Sequence, residues 1–401
     1  MSEQANIYSK QYLMTAGPTP IPPAVSQVMA EPIVYHRAPA FIEVYERALQ
    51  NLGRVFQTEN QVLSFAASGT GAMESAVANL ALPGEPIAVV SAGKFGERWA
   101  ELGEAYGAEV AHLQVEWGER IEPAALGELL AGMSKPPRAA FATQSETSTG
   151  VLHDVRGLTE VAHDHDAVIC IDAVSGLGAV DLPQDEWSVD VVVSGSQKSL
   201  MCPPGLAFVS VGERAMARAE ETAGRGGRRY YFDWSKTAGG QGEQPPNSPF
   251  TPAVTLWRAL DAALGLILEE GLDRVFERHA ILARAARAGV DAIGLERFGP
   301  DDDGANVVTA ARLPDSIDGA RVPKLMRERY GVTAAGGQGR LKGKIVRIAH
   351  CGYYGAFDIV VALSAMEMAL RDLGLEVDPG SAAGAAQGVF SEVGRAPEPV
   401  G

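Results

Sequence analysis

The sequence has only three cysteines among 401 residues, and they lie far apart. Cys170, Cys202 and Cys351 have no CxxC spacing, which argues against a disulfide framework or a thiolate zinc site and favours a reducing compartment. His163 and His165 are two residues apart, and residues at that spacing face different sides of a helix. We therefore expect no metal site and a location in the cytoplasm.

Positive charge is also scarce. Lysine and arginine together number 34 against 50 acidic residues, so the formal net charge is −16. Proteins that bind nucleic acid or anionic membranes need clustered positive charge, which this balance does not favour. No apolar run approaches the roughly 20 residues that span a bilayer, and the N-terminus lacks the pattern of a signal peptide. We expect neither nucleic acid nor a membrane as a partner.

Short apolar runs alternate with segments of helical period between about residues 60 and 212. The runs are continuously apolar, which indicates strands that are buried on both faces. Their alternation with helices predicts an α/β fold with a mostly parallel sheet. The predicted strands lie at 86–92, 108–115, 138–144, 167–173, 190–195 and 206–212.

The second half of the chain has a different pattern. The stretch 223–252 is rich in Gly, Arg, Tyr and Pro, and we expect it to be irregular. A long helical segment with a break at Gly271 follows, and the strand and helix patterns after it indicate a smaller α+β domain. We divide the chain into an N-terminal segment (1–20), a large domain (21–265), a small C-terminal domain (266–378) and a flexible tail (379–401), the last because it is rich in Gly, Ala and Pro.

Lys198 stands out because it follows an apolar strand in the segment VVVSGSQKSLMCPPG. Ligands of open α/β sheets bind beyond the carboxyl ends of the strands, which is where this lysine falls. Partial burial lowers the pKa of a lysine and frees its lone pair for attack on an aldehyde. Taken alone, Lys198 is more consistent with a surface lysine whose stem is buried.

Two further features suit the same chemistry. Asp172 closes the apolar run AVICIDA, where a carboxylate needs a partner such as a helix cap or a protonated heterocyclic nitrogen. The turn SGTG at 68–71 precedes an Ala-rich helix and offers hydroxyl and N–H groups to a phosphate, although the same pattern also makes an ordinary N-cap. Together with Lys198, these features match the needs of pyridoxal 5′-phosphate (PLP), which carries an aldehyde, a pyridinium nitrogen and a phosphate.

The order and spacing of several motifs resemble the class-V aminotransferases of fold type I, and within them the alanine–glyoxylate and serine–glyoxylate (serine–pyruvate) branch. The resemblance covers about residues 12–375. It implies a seven-stranded, mostly parallel sheet, a PLP cofactor and a homodimer with shared active sites. The motifs are LMTAGPTPIPP (13–23), YHRAPAF (35–41), SGTGAMES (68–75), GKFGERW (93–99), SETSTGV (145–151), CIDAVSGLG (170–178), SGSQKSLMCPPG (194–205) and GKIVRIAHCG (343–352).

The resemblance also implies a role for each site residue. Lys198 holds the cofactor and moves the substrate proton, and Asp172 pairs with the pyridine nitrogen. Arg347 binds the substrate α-carboxylate, and the backbone of Gly17 contacts the substrate. The remaining cofactor contacts are Ser68, Gly69, Thr70 and Gln197 at the phosphate, Phe95 stacked on the ring, Thr147 at the ring hydroxyl and Thr251 from the partner subunit.

The sequence therefore predicts a PLP-dependent transaminase that moves an amino group from alanine or serine to glyoxylate or another small 2-oxo acid. A lyase or desulfurase of the same fold stays open, with Cys351 as the cysteine next to a site motif. An aspartate-type transaminase stays open because Arg37, Arg228, Arg229 and Arg340 are unplaced. A non-catalytic protein that keeps the fold is a further alternative, against which the intact Lys198 argues.

Overall fold

The structure is a computed structural model that describes residues 8, 10–300 and 304–393. Its strands are, in chain order, β1 (Tyr12–Met14), β2 (Val62–Phe65), β3 (Pro86–Ser91), β4 (Glu109–Gln114), β5 (Ala139–Thr143), β6 (Ser145–Glu146), β7 (Val151–Leu152), β8 (Val168–Asp172), β9 (Val191–Gly195), β10 (Ala207–Val211), β11 (Val308–Arg312), β12 (Val332–Gly336) and β13 (Ile345–Ala349). The α-helices are α1 (Pro23–Met29), α2 (Pro39–Phe56), α3 (Gly69–Leu80), α4 (Lys94–Ala105), α5 (Pro123–Gly132), α6 (Val155–Asp164), α7 (Glu213–Gly224), α8 (Trp234–Gln241), α9 (Val254–Glu270), α10 (Leu272–Ala292), α11 (Arg321–Tyr330), α12 (Ala356–Asp372) and α13 (Ser381–Glu392).

The central sheet has seven strands in the order β2-β10-β9-β8-β5-β3-β4. Five strands run parallel to one another, namely β9, β8, β5, β3 and β4. Strand β10 is antiparallel to both β9 and β2. Each of the six apolar runs predicted as strands is a strand of this sheet. The prediction of an α/β fold with a mostly parallel, seven-stranded sheet is confirmed.

The continuous apolar runs are explained by helices on both faces of the sheet. In β8, Ile169 and Ile171 pack into one hydrophobic cluster, and Val168 and Cys170 pack into another. Successive side chains of a strand point to opposite faces, so every residue of such a strand is buried. The site residues at the strand ends therefore sit on a rigid scaffold.

A second sheet has the order β1-β12-β13-β11 and its own hydrophobic cluster. The strand β1 comes from the N-terminal segment and pairs in parallel with β12 from the C-terminal part. The N-terminal segment thereby joins the second sheet through β1, and the chain then enters the central sheet at β2. Residues 1–7 and 9 of the predicted N-terminal segment lie outside the described residues, and the domain boundaries stay a prediction.

The end of the chain differs from the prediction of a flexible tail. Residues Ser381–Glu392 form α13, which packs against α10 with Ala382 and Ala386 fully buried. The Glu367 carboxylate accepts hydrogen bonds from the N–H groups of Gly380 (2.6 Å) and Ala382 (3.2 Å), which satisfies the start of this helix. Tight packing of small residues supplies the order that a Gly- and Ala-rich composition does not suggest. Residues 394–401 of the predicted tail lie outside the described part.

The stretch 223–252 also contains more structure than its composition indicates. The short helix α8 begins with Trp234, which is fully buried and donates from its indole nitrogen to the Ser75 hydroxyl (3.2 Å). The prediction of an irregular segment is therefore wrong for these eight residues. In the described part of the chain, none of the helices combines the length and apolar character needed to cross a membrane.

Candidate active site

A cavity of about 300 Å³ lies at the carboxyl ends of β8 and β9, against the N-terminus of α3. Of the predicted site residues, Thr147, Thr251 and Arg347 do not line it. Eight others do, namely Gly17, Ser68, Gly69, Thr70, Phe95, Asp172, Gln197 and Lys198. The fold thus gathers residues from five separate sequence motifs into one space.

Lys198 follows β9 by three residues and is 9% exposed. Burial lowers the pKa of its ammonium below the ordinary value of 10.5, and the negative charge of Asp172 only partly offsets this effect. Its Nζ donates a hydrogen bond to the carbonyl of Ala16. A buried amine with a lowered pKa is more often unprotonated and so more nucleophilic, as the sequence pattern predicts.

The N-terminal segment holds this lysine in place. The Thr19 hydroxyl donates to the Lys198 carbonyl (2.9 Å), and the Thr19 N–H donates to the Gln197 carbonyl (3.1 Å). A Cβ at Gly17 would lie 2.3 Å from Lys198 Cε, and the φ of Gly17 is +121°. Only glycine combines this backbone conformation with such a close approach. The motif TAGPTP is therefore explained by its contact with the lysine.

Asp172 is the last residue of β8, and its side chain is buried. Its Oδ1 accepts a hydrogen bond from the N–H of Val174 (2.8 Å), and Oδ2 has no hydrogen-bond partner within the described residues. Burial raises the pKa of this carboxyl to about 6. A buried carboxylate with one unused oxygen is suited to a cationic N–H, such as that of a pyridinium ring.

The start of α3 forms an anion site. Ser68 is the N-cap residue, yet its hydroxyl caps no backbone N–H. The N–H groups of Gly69 and Thr70 have no intrahelical acceptor, whereas Gly71 donates to the Ser68 carbonyl (2.8 Å). Gln197 Oε1 is buried without a hydrogen-bond partner in the described residues. A Cβ at Gly69 would lie 2.8 Å from Val174, so glycine is needed for the helix to approach the strand end. The helix N-terminus, hydroxyl and amide together favour a phosphate.

Arg98 also lines the cavity, and the sequence reasoning missed it. Its Nη1 donates to the Thr70 hydroxyl (3.1 Å), and its Cζ lies 5.2 Å from the centroid of the Phe95 ring. Lys198 Nζ lies 5.8 Å from the same centroid. The available signal was the spacing, because Arg98 is three residues after Phe95 and shares its helix face.

A buried carboxylate, Glu146, positions Phe95 and was also missed. It accepts hydrogen bonds from the N–H groups of Phe95 (3.0 Å), Gly96 (2.9 Å) and Ser148 (3.0 Å). Burial raises the pKa of Glu146, and these hydrogen bonds oppose the rise. A Cβ at Gly93 would lie 2.3 Å from Glu146 Cγ, so this glycine gives the carboxylate its place at the start of α4.

Arg347 lies in the middle of β13 and is buried. It donates to the carbonyls of Gly336 (Nε 3.0 Å, Nη2 2.8 Å) and Thr147 (Nη1 2.6 Å). A guanidinium has five N–H donors, so two remain for a carboxylate. The charge of Arg347 lowers the pKa of Lys198, although Arg347 does not line the cavity. Thr147 is held here through its carbonyl, and its predicted contact with the cofactor stays a prediction.

Thr251 lies in the exposed loop before α9 and does not line the cavity. Its predicted contact belongs to a second copy of the chain, so the single chain does not test it. Ser145 lines the cavity in addition to the predicted residues, and its buried hydroxyl has no hydrogen-bond partner in the described part of the chain. The signal for Ser145 was its place just after β5, since the carboxyl ends of parallel strands meet at one edge.

The residues of the cavity fit PLP on these observations. The buried amine of Lys198 suits the aldehyde, the unused oxygen of Asp172 suits the ring nitrogen, and the start of α3 suits the phosphate. The Nε2 group of Gln197 offers donors to the phosphate, whereas its unpartnered Oε1 is an acceptor. The fold and this site together define a PLP-dependent transferase of fold type I.

Comparison with known proteins identifies the family. The sequence matches the profile described as "Aminotransferase class-V" over residues 11–346, and the chain belongs to this family. It is 33% identical over 392 residues to the serine–glyoxylate aminotransferase of Methylorubrum extorquens, covering 96% of each chain. It is 40% identical over 385 residues to a Synechococcus protein named "Soluble hydrogenase, small subunit", covering 95% of this chain and 99% of that one.

A solved structure gives the same result. The ureidoglycine–glyoxylate aminotransferase of Bacillus subtilis has a TM-score of 0.89 to this chain at 30% identity, covering 97% of this chain and 100% of that one. The family resemblance inferred from the motifs is confirmed, and so are the aminotransferase class and the PLP cofactor.

Proposed function

We propose that this chain transfers an amino group from a small L-amino acid, alanine or serine, to glyoxylate or another small 2-oxo acid. The observation that carries this proposal is the convergence of Lys198, Asp172 and the start of α3 on one cavity. At about 300 Å³, the cavity lies at the lower end of the range for ligand sites, and the cofactor must share it with the substrate. This size supports small donors.

The roles of the residues follow from their surroundings. PLP, when bound, supplies an electron sink for the negative charge that develops at the substrate Cα. Lys198 Nζ, whose pKa is lowered by burial, takes the proton from Cα and returns it to the product. Asp172 keeps the ring nitrogen protonated. The two free N–H donors of Arg347 bind the substrate α-carboxylate and orient the Cα–H bond towards the lysine.

The alternatives have less support. Cys351 is fully buried, and burial raises the pKa of its thiol, whereas a desulfurase needs a mobile and reactive thiolate. Arg37, Arg228, Arg229 and Arg340 do not line the cavity of the single chain, which gives no support to a second carboxylate site built from these residues within one chain. The donor range therefore centres on substrates with one carboxylate.

We also propose that the chain forms a homodimer with shared active sites and works in the cytoplasm. Thr251 follows an exposed aromatic group in which the rings of Tyr231 and Phe250 stack at 4.7 Å and Tyr230 is 74% exposed. Large exposed aromatic side chains are typical of protein interfaces. The cytoplasmic location rests on the three scattered cysteines.

The proposal is tested by absorbance and by donor specificity. PLP-loaded protein should show a band at about 410–430 nm that bleaches with L-alanine or L-serine. Lys198→Ala should lose this band and all turnover, whereas Lys324→Ala, at an exposed position of α11, should keep both. A matrix of alanine, serine, aspartate and glutamate against glyoxylate, pyruvate and 2-oxoglutarate then gives the substrates. A wild-type protein without the band, or a Lys198→Ala variant with substantial turnover, would contradict the proposal.

A further inference from the structure

Arg98 has no acidic partner in the part of the chain that the structure describes. Its hydrogen bond there runs from Nη1 to the Thr70 hydroxyl, and no carboxylate lies within ion-pair distance. Two of the three acidic residues of its own helix are engaged elsewhere. Glu97 accepts from the Trp117 indole (2.9 Å), and Glu101 pairs with Lys94 (2.8 Å). The charge of Arg98 is therefore left for a group that enters the cavity.

Two other partly or fully buried arginines of the chain have acidic partners, whereas Arg347 donates to backbone carbonyls. Arg138 pairs with Glu221 (3.1 Å), and Arg278 pairs with Glu270 (2.7 Å). A guanidinium that is partly removed from water and unpaired is unfavourable unless an anion reaches it. The structure keeps Arg98 in this position by two contacts, the Thr70 hydroxyl and the Phe95 ring.

The position of Arg98 is next to the start of α3. Thr70 lies in the first turn of that helix, and Ser68 and Gly69 precede it on the same cavity wall. The N–H groups and the helix dipole give this wall partial positive charge, and Arg98 adds a full one. A phosphate monoester carries close to two negative charges at neutral pH, more than a helix terminus alone balances.

We propose that Arg98 binds the cofactor phosphate and supplies most of the formal positive charge at that site, held there by Thr70 and Phe95. This inference rests on the proposed function, since it takes PLP as the ligand of the cavity. It predicts that Arg98 contributes to the binding affinity of PLP through the phosphate group. Arg98 should not contribute to the binding of the same ring without phosphate.

The test compares PLP with pyridoxal, which has the same aldehyde and ring but no phosphate. Dissociation constants of both are measured with apoprotein by absorbance titration for wild type, Arg98→Gln, Arg98→Lys and Arg156→Gln. Arg156 is an exposed arginine paired with Glu160 and serves as the matched control. Arg98→Gln should weaken PLP binding about 10- to 100-fold, as expected for a lost charge-assisted hydrogen bond. Pyridoxal binding should change less than about twofold, and Arg98→Lys should recover part of the PLP affinity.

Inorganic phosphate gives a second readout without the cofactor ring. It should compete with PLP in the wild type, and this competition should weaken in Arg98→Gln. If Arg98→Gln does not fold by circular dichroism, the PLP-to-pyridoxal ratio of Arg98→Lys decides, because lysine keeps the charge and loses the planar fork.

Three results would overturn the inference. Equal losses for PLP and pyridoxal would show that Arg98 only positions Phe95 and Thr70. Unchanged PLP affinity with a raised KM for aspartate would assign Arg98 to a substrate carboxylate. Unchanged affinity for both ligands would leave Arg98 without a role in binding. A wild-type apoprotein that binds no PLP would instead refute the proposed function, so the two failures are distinguishable.

Discussion

Asp172 offers a prediction whose size can be worked out from its surroundings. Burial raises the pKa of this carboxyl from 3.8 to about 6 in the folded chain without cofactor. Each pKa unit corresponds to about 1.4 kcal/mol, so a fully ionised Asp172 destabilises the folded apoprotein by about 3 kcal/mol. We predict that Asp172→Asn, which cannot ionise, makes the apoprotein more stable at neutral pH.

The sign of the pH dependence follows from the raised pKa. The folded state holds the proton more tightly than the unfolded state, so the stability that this proton provides is complete below pH 3.8. This stability is lost as the pH rises from 3.8 through about 6. At higher pH the destabilisation by ionised Asp172 is constant. The stability difference between Asp172→Asn and wild type should therefore widen by about 1.5 kcal/mol between pH 5 and pH 8.

The assay is urea unfolding of apoprotein at pH 5, 6, 7 and 8 for wild type, Asp172→Asn and Asp315→Asn. Asp315 is exposed, so its variant should track the wild type at every pH. With PLP added, the order should reverse, because the asparagine cannot supply a negative charge to the ring nitrogen. A difference that stays constant from pH 5 to pH 8 would refute the reasoning, as would an Asp172→Asn variant that binds PLP as tightly as wild type at pH 8.

Two further predictions concern Arg347 and the helix α13. Arg347→Gln should raise the KM for L-alanine about 10- to 100-fold in steady-state assays, because the bidentate contact with the substrate carboxylate is lost. The KM for an amine donor without a carboxylate should barely change. Equal losses for both donors would remove Arg347 from carboxylate binding. Ala386→Asp should lower the free energy of unfolding by about 3 kcal/mol because it places an unpaired charge in the contact with α10, whereas Gln387→Glu on the exposed side should change it by less than about 0.5 kcal/mol. Thermal melts followed by circular dichroism measure the two α13 variants, and melting temperatures equal to that of the wild type would show that α13 does not stabilise the fold.

The predictability of the fold depended on how each element is stabilised. Five strands are buried on both faces, namely β3, β5, β8, β9 and β10. Burial on both faces requires a continuous apolar run, so these strands could be predicted from the sequence. The four-residue strand β2 was missed because so short a run carries little pattern. The helix α13 was missed because its Gly, Ala and Ser residues are ordered by close packing on α10 rather than by their own propensity.

The candidate site divides in a similar way. The sequence alone determined that Lys198 and Asp172 end buried strands, because their apolar runs and the turn residues after them are local features. Tertiary structure alone decided what surrounds them. Arg98 of α4 donates to Thr70 of α3, and Glu146 of β6 accepts hydrogen bonds from the start of α4. Such contacts join residues far apart in the chain, and they depend on how the helices pack rather than on any local pattern. The raised pKa of Asp172 is likewise a property of the folded chain, because the burial that causes it exists only there.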